Sequence, residues 1–142
     1  MIFKRVSTLA VAAGLTVAGA MESAASGDGT SIEENSTWQV VELAGTDLIA
    51  ESMPEIQFGE SGRIGLTGGC NRFMGQVEMD GSSLMFPENM AGTLMACPPQ
   101  LEDQEKAFLA ALGRVASYRI EGKGMMFLDA DGEPVMALTM TE

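Results

Sequence analysis

Two cysteines are the most reactive side chains in this 142-residue chain, Cys70 in Gly68-Gly69-Cys70-Asn71-Arg72 and Cys97 at the end of Thr93-Leu94-Met95-Ala96-Cys97. In an exported protein an isolated pair is most simply a structural disulfide. Two alternatives stand beside it: a redox or metal-binding pair, against which the lack of C-x-x-C spacing counts, and two neighbouring thiols that stay reduced. Histidine is absent altogether. That removes the commonest general base, the serine and cysteine arrangements that depend on it, and the usual zinc site. Thr93, Ser82 and Ser83 have no base partner to activate them. Asp129-Ala130-Asp131-Gly132-Glu133 has the acidic look of a calcium loop without its bidentate glutamate, so it reads as a hairpin turn. The expectation is a protein that is not an enzyme and holds no metal or cofactor.

Asn71, Arg72, Thr93 and Met95 are the remaining candidates, for binding. One reading has Asn71 in a left-handed conformation or bonded to the local backbone, with Arg72 paired to a carboxylate. The sharper reading is a recognition patch of Asn71, Arg72 and Thr93, with Met95 beside them. The ten methionines from Met53 to Met140 read chiefly as adaptable core filling. A copper(I) thioether site and an apolar pocket able to hold an acyl chain or peptide are the functional alternatives.

These residues need a scaffold, and the chain spells one out in short alternating segments. Thr37-Trp38-Gln39-Val40-Val41-Glu42-Leu43 predicts a strand, with Trp38 a core plug. Ile56 and Phe58 pair with Arg63 to Leu66 as a hairpin; Phe73 to Met79, turning at Asp80-Gly81-Ser82, pairs with Ser83 to Phe86 as a second. Asn89 to Cys97 reads as extended. Gly65 and Gly75, inside strands, predict bulges, sharp coiling or close backbone approach. One helix is expected from Pro99 to Leu112, opened by proline and acidic residues and ended by Gly113. Its Leu101, Phe108, Leu109 and Leu112 share a face. Tyr118 to Ile120, Met125 to Leu128 and Val135 to Met140 return to strand. Nothing alternates strand with helix, so the expected fold is mainly β (α+β): a strongly curved antiparallel sheet of about seven or eight strands, a partly open barrel, with one helix.

Lys4 and Arg5 followed by the apolar run Val6 to Ala20 read as a secretory signal peptide over residues 1–25, with a polar, flexible leader over 26–36 and one domain over 37–142. No cysteine stands near the cleavage site to carry a lipid. The expectation is a periplasmic or secreted protein, monomeric and free of the membrane after cleavage. A formal net charge of −12 argues against nucleic acid as a partner and leaves a cationic one plausible.

Several separated motifs occur together in order. They are Thr37-Trp38, Gly69-Cys70-Asn71-Arg72-Phe73, Thr93-Leu94-Met95-Ala96-Cys97, Glu105 with Phe108-Leu109-Ala110-Ala111-Leu112, Tyr118-x-Ile120 and Leu128-x-x-Asp131-Gly132. Over roughly Ser36 to Thr141 they resemble the META/HslJ-like domain family. The resemblance implies a curved antiparallel β fold with one helix, found in bacterial envelopes, often as lipoproteins or stress-induced proteins, without established enzymatic activity. The function expected is a stress-response or secretion accessory that binds an envelope protein. The alternatives are a thiol-disulfide redox protein using Cys70 and Cys97, or a carrier of a small apolar ligand.

Overall fold

The computed structural model describes Gly14 and residues 31–141. Apart from Gly14, the expected signal peptide falls outside the described residues. Of the expected leader, Ile32 packs against the core and Glu34 accepts a hydrogen bond from Ser61 N at 2.7 Å.

Among the described residues ten strands and one α-helix follow in order: β1 (Ser36–Leu43), β2 (Glu55–Phe58), β3 (Arg63–Thr67), β4 (Arg72–Gln76), β5 (Glu78–Asp80), β6 (Ser83–Met85), β7 (Ala91–Gly92), α1 (Pro99–Leu112), β8 (Ser117–Glu121), β9 (Gly124–Leu128) and β10 (Pro134–Thr141). All strand pairs are antiparallel, in one sheet ordered β5-β6-β8-β9-β10-β1-β2-β3-β4-β7.

Ten strands replace the expected seven or eight, and two local events account for the difference. The single strand expected over Phe73 to Met79 breaks at Val77, which is buried and donates its N–H to Gly62 O at 2.8 Å rather than to a ladder. The extended segment expected over Asn89 to Cys97 pairs as a strand only at Ala91 and Gly92. The break at Val77 also shapes the whole sheet. It joins β4, near one end of the strand order, to β5 at the other end, so the sheet must curl into a half-barrel for one residue to span the gap.

Register shifts lie at Val41 in β1 and Val135 in β10, not at the glycines. At each bulge the inside-outside alternation slips, leaving Val41 39% exposed while Val135 and Met136, neighbours in sequence, are both buried. Gly75 serves close approach instead: a Cβ there would stand 2.8 Å from Met90 Cγ. Gly65 has ordinary space around it.

The concave face is filled. Trp38, Ile56, Phe127 and Leu84 of the sheet and Phe108 and Leu112 of the helix are all but fully buried, and Phe86 tilts against Phe127 with ring centroids 5.6 Å apart. Trp38 is the core plug its sequence context predicts, its indole N–H bonded to Ser36 Oγ at 3.0 Å. The methionines divide: Met125 and Met136 belong to the core, whereas Met74, Met85 and Met95 are more than half exposed. Thioether core filling therefore describes only part of the set.

α1 matches its expected bounds. Gly113 ends it with a right-handed φ of −66°, so the glycine's left-handed freedom is not used. The buried face is not the apolar stripe alone; Gln104 and Glu105 are buried beside Phe108, Ala111 and Leu112, while Leu101 and Leu109 are half-buried. The acidic turn is a hairpin turn, with Asp129 Oδ1 accepting N–H bonds from Asp131 and Glu133 at 2.9 Å each.

Candidate functional site

The chain leaves β3 at Thr67, turns through Gly68-Gly69-Cys70-Asn71 and enters β4 at Arg72. Two glycines make this turn possible for different reasons. A Cβ on Gly68 would lie 2.8 Å from Glu105 Cα, so its absence lets α1 press directly on the turn. Gly69 has φ +111°, and a Cβ there would also stand 2.9 Å from Ser52 O. Gly69→Ala combines backbone strain with a clash against a carbonyl, and the expected result is a loss of about 2–3 kcal/mol in chemical denaturation.

The two buried polar residues of α1 hold the neighbouring loops. Gln104 accepts from Ile49 N at 2.7 Å and donates to Ser52 O at 2.6 Å and Gly68 O at 2.7 Å. The 49–52 segment and the Gly68 turn thereby meet on one amide of α1. Glu105 accepts from Asn71 N at 2.7 Å through one oxygen and from Asn71 Nδ2 at 2.9 Å through the other. Asn71 Oδ1 in turn accepts from Thr93 Oγ1 at 2.9 Å and Met95 N at 2.7 Å. Arg72 N then donates to Thr93 Oγ1 at 3.2 Å, and Thr93 N to Arg72 O at 3.1 Å.

Cys70 and Cys97 are joined as a disulfide, with Cα atoms 6.1 Å apart, spanning the same gap as this relay. The alternative of two reduced thiols is thus not the state of this molecule. Cys70 Sγ lies 3.7 Å from Met95 O; an oxidised sulfur has no proton to donate, so the contact is packing.

The structure brings Cys70, Asn71, Thr93, the Met95 backbone and Cys97 together and adds Glu105. Asn71 is 8% exposed with an ordinary negative φ, and its side chain bonds across to α1 and the 93–95 segment. That corrects both the left-handed and the local-backbone expectations. It also takes Asn71 out of any surface patch, because its oxygen already has two donors and its amide a carboxylate. Arg72 is exposed and makes no ion pair among the described residues, where Arg119–Glu121 at 2.9 Å is the one such pair. The expected pairing of Arg72 with a carboxylate is therefore absent among the described residues. Thr93 is exposed yet turned to Asn71, while Met95 is 55% and Leu94 100% exposed.

Glu105 is the member that sequence reasoning counted among the charges at the helix start, and Gln104 is one it did not single out. A signal was present. Glu105, Phe108 and Leu112 stand at i, i+3 and i+7, which puts the carboxylate on the buried stripe.

Fold and site together define a small disulfide-stapled β half-barrel closed by one helix. The META domain family model matches residues 30–142, and the chain belongs to that family. Among solved structures, an NMR structure of a protein from Burkholderia xenovorans is similar with a TM-score of 0.63 and 18% identity, over 99% of both chains. A second NMR structure is similar with a TM-score of 0.58 and 22% identity, over 75% of this chain and 89% of the other. Such likeness shows the fold alone. No curated protein matches the chain.

Proposed function

We propose that this META domain is a non-enzymatic, exported binding module of the cell envelope, accessory to stress response or secretion. The observation that carries this reading is the employment of the Gly68–Cys97 region in architecture. Disulfide, Asn71, Glu105 and Gln104 are bonded to one another or to backbone, so the groups with most chemistry are held in place by structure rather than aimed at a substrate. The disulfide is compatible with an oxidising compartment, in line with the signal-like sequence of residues 1–25. A carrier of a small apolar ligand is the weaker reading, since Trp38, Phe108 and Phe127 occupy the interior a ligand would need.

The reduction potential of Cys70–Cys97 tests it. A structural bridge is expected below about −300 mV, and a value between about −270 and −120 mV would favour thiol-disulfide catalysis instead. Intact mass of the protein recovered from the envelope, with and without a thiol label, is expected to show cleavage after about residue 25 and no labelling before reduction.

A further inference from the structure

We infer that the segment Gly92 to Ala96 is a docking edge on which an extended, cationic peptide of a partner adds as a further strand. The inference rests on the binding-module reading and names the surface such a module would use. β7 is the terminal strand on its side of the sheet. Thr93 N donates inward to Arg72 O, so its neighbours Gly92 and Leu94 turn their N–H and C=O groups outward, away from β4. Among the described residues Leu94 N–H has no protein acceptor.

Past Thr93 there is no further β4 residue to pair with, and the segment would be expected to wander. It does not, because Asn71 Oδ1 takes the Met95 N–H as a neighbouring strand's carbonyl would, and two residues later Cys97 is fastened to Cys70. The edge is thereby preorganised, which lowers the ordering cost of binding.

The two ends of the sheet are treated differently. β5 carries Glu78 and Asp80, charges of the kind that blunt an open edge. Gly92-Thr93-Leu94-Met95-Ala96 carries no charge and no proline, and it leaves Leu94 wholly exposed and Met95 more than half exposed. Outward donors and acceptors two residues apart specify an extended backbone as the occupant. Leu94 and Met95, consecutive in an extended segment, face opposite sides of the sheet, so the wholly bare Leu94 is the one that calls for apolar residues at alternate positions, and the chain's formal −12 charge favours a partner with positive ones. The same charge opposes a second copy of this chain.

The test is a titration of the isotopically labelled, disulfide-intact protein with three short peptides, followed by backbone amide shifts. The first alternates valine and lysine, the second is its version N-methylated at alternate residues, and the third alternates valine and glutamate. Binding of the first peptide with shifts centred on residues 92–96 is expected. N-methylation should weaken it by about tenfold or more, since it removes backbone donors and keeps the charge. Leu94→Pro, which deletes an N–H the fold does not use, should do the same without lowering the melting temperature. Leu94→Lys, which adds a blunting charge that also repels the lysines of the probe and keeps the N–H, is the second variant should proline disturb the segment. Equal binding of the first two peptides would reduce the effect to charge attraction and overturn the proposal. So would failure of the first to bind, or shifts of 92–96 caused by self-association. Shifts mapping to another surface would overturn the edge while leaving a binding module standing.

Discussion

Replacing Cys70 and Cys97 together by serine is expected to destabilise the domain by about 3.5 kcal/mol on the loop-entropy account of a crosslink. The bridge closes a loop with a sequence separation of 27, and its loss frees the unfolded chain more than it disturbs the folded one. Because net stabilities of small domains are only about 5–15 kcal/mol, the melting temperature should fall by about 10–20 °C. Differential scanning calorimetry of the oxidised protein and the double variant measures it. A second readout locates the effect. Exchange protection of the Met95 N–H should drop first, since Cys97 is the anchor that keeps it on Asn71 Oδ1. A change below about 1 kcal/mol would mean that the hydrogen-bond relay holds the segment without the crosslink.

The Asn71–Glu105 pair carries the second large effect. Glu105→Ala leaves two buried donors, Asn71 N and Nδ2, with no acceptor, and each such group costs about 1–3 kcal/mol. The expected loss is therefore about 2–6 kcal/mol. Glu105→Gln is nearly the same size, yet it turns an amide N–H₂ toward the Asn71 N–H₂ and should also destabilise, by about 1–3 kcal/mol. The swap is the discriminating measurement. Asn71→Asp alone sets two carboxylates against each other. Combined with Glu105→Gln it restores one donor to one acceptor, while the Oδ1 position still accepts from Thr93 and Met95. The double variant should be more stable than the sum of the singles by about 1–3 kcal/mol in denaturant unfolding. Strict additivity would mean that the two side chains do not depend on each other, and the relay would lose its central link.

Much of the scaffold was legible because local physics decides it. α1 runs from Pro99 to Leu112 because proline and acidic residues suit a helix start and an apolar spacing of 3.6 continues to Gly113. The β2–β3 hairpin, Trp38 in the core and the Asp129 turn are likewise short-range consequences of alternation and turn residues. The break at Val77 was not legible, since Phe73 to Met79 alternates like one strand. Only its neighbours reveal why Val77 bonds Gly62 and passes the chain to the far end of the sheet. The bulges at Val41 and Val135 are hidden for the same reason: they depend on register against a partner strand.

At the site the division is sharper. Composition alone withheld histidine and supplied two cysteines, and the glycine-dense turn announced a path that only residues lacking a Cβ take easily. What approaches was beyond its reach. Glu105 looks from the sequence like one more charge at a helix start, and Asn71 like one more turn residue. They become a buried pair because α1 docks with Glu105 Cα where the Cβ of Gly68 would be, a contact between segments 37 residues apart. Residue types and their spacing therefore determined which elements form and which groups could react. Which of those groups are consumed by architecture, and which are left facing solvent, was decided by tertiary packing, because burial and hydrogen-bond partners are properties of neighbours in space.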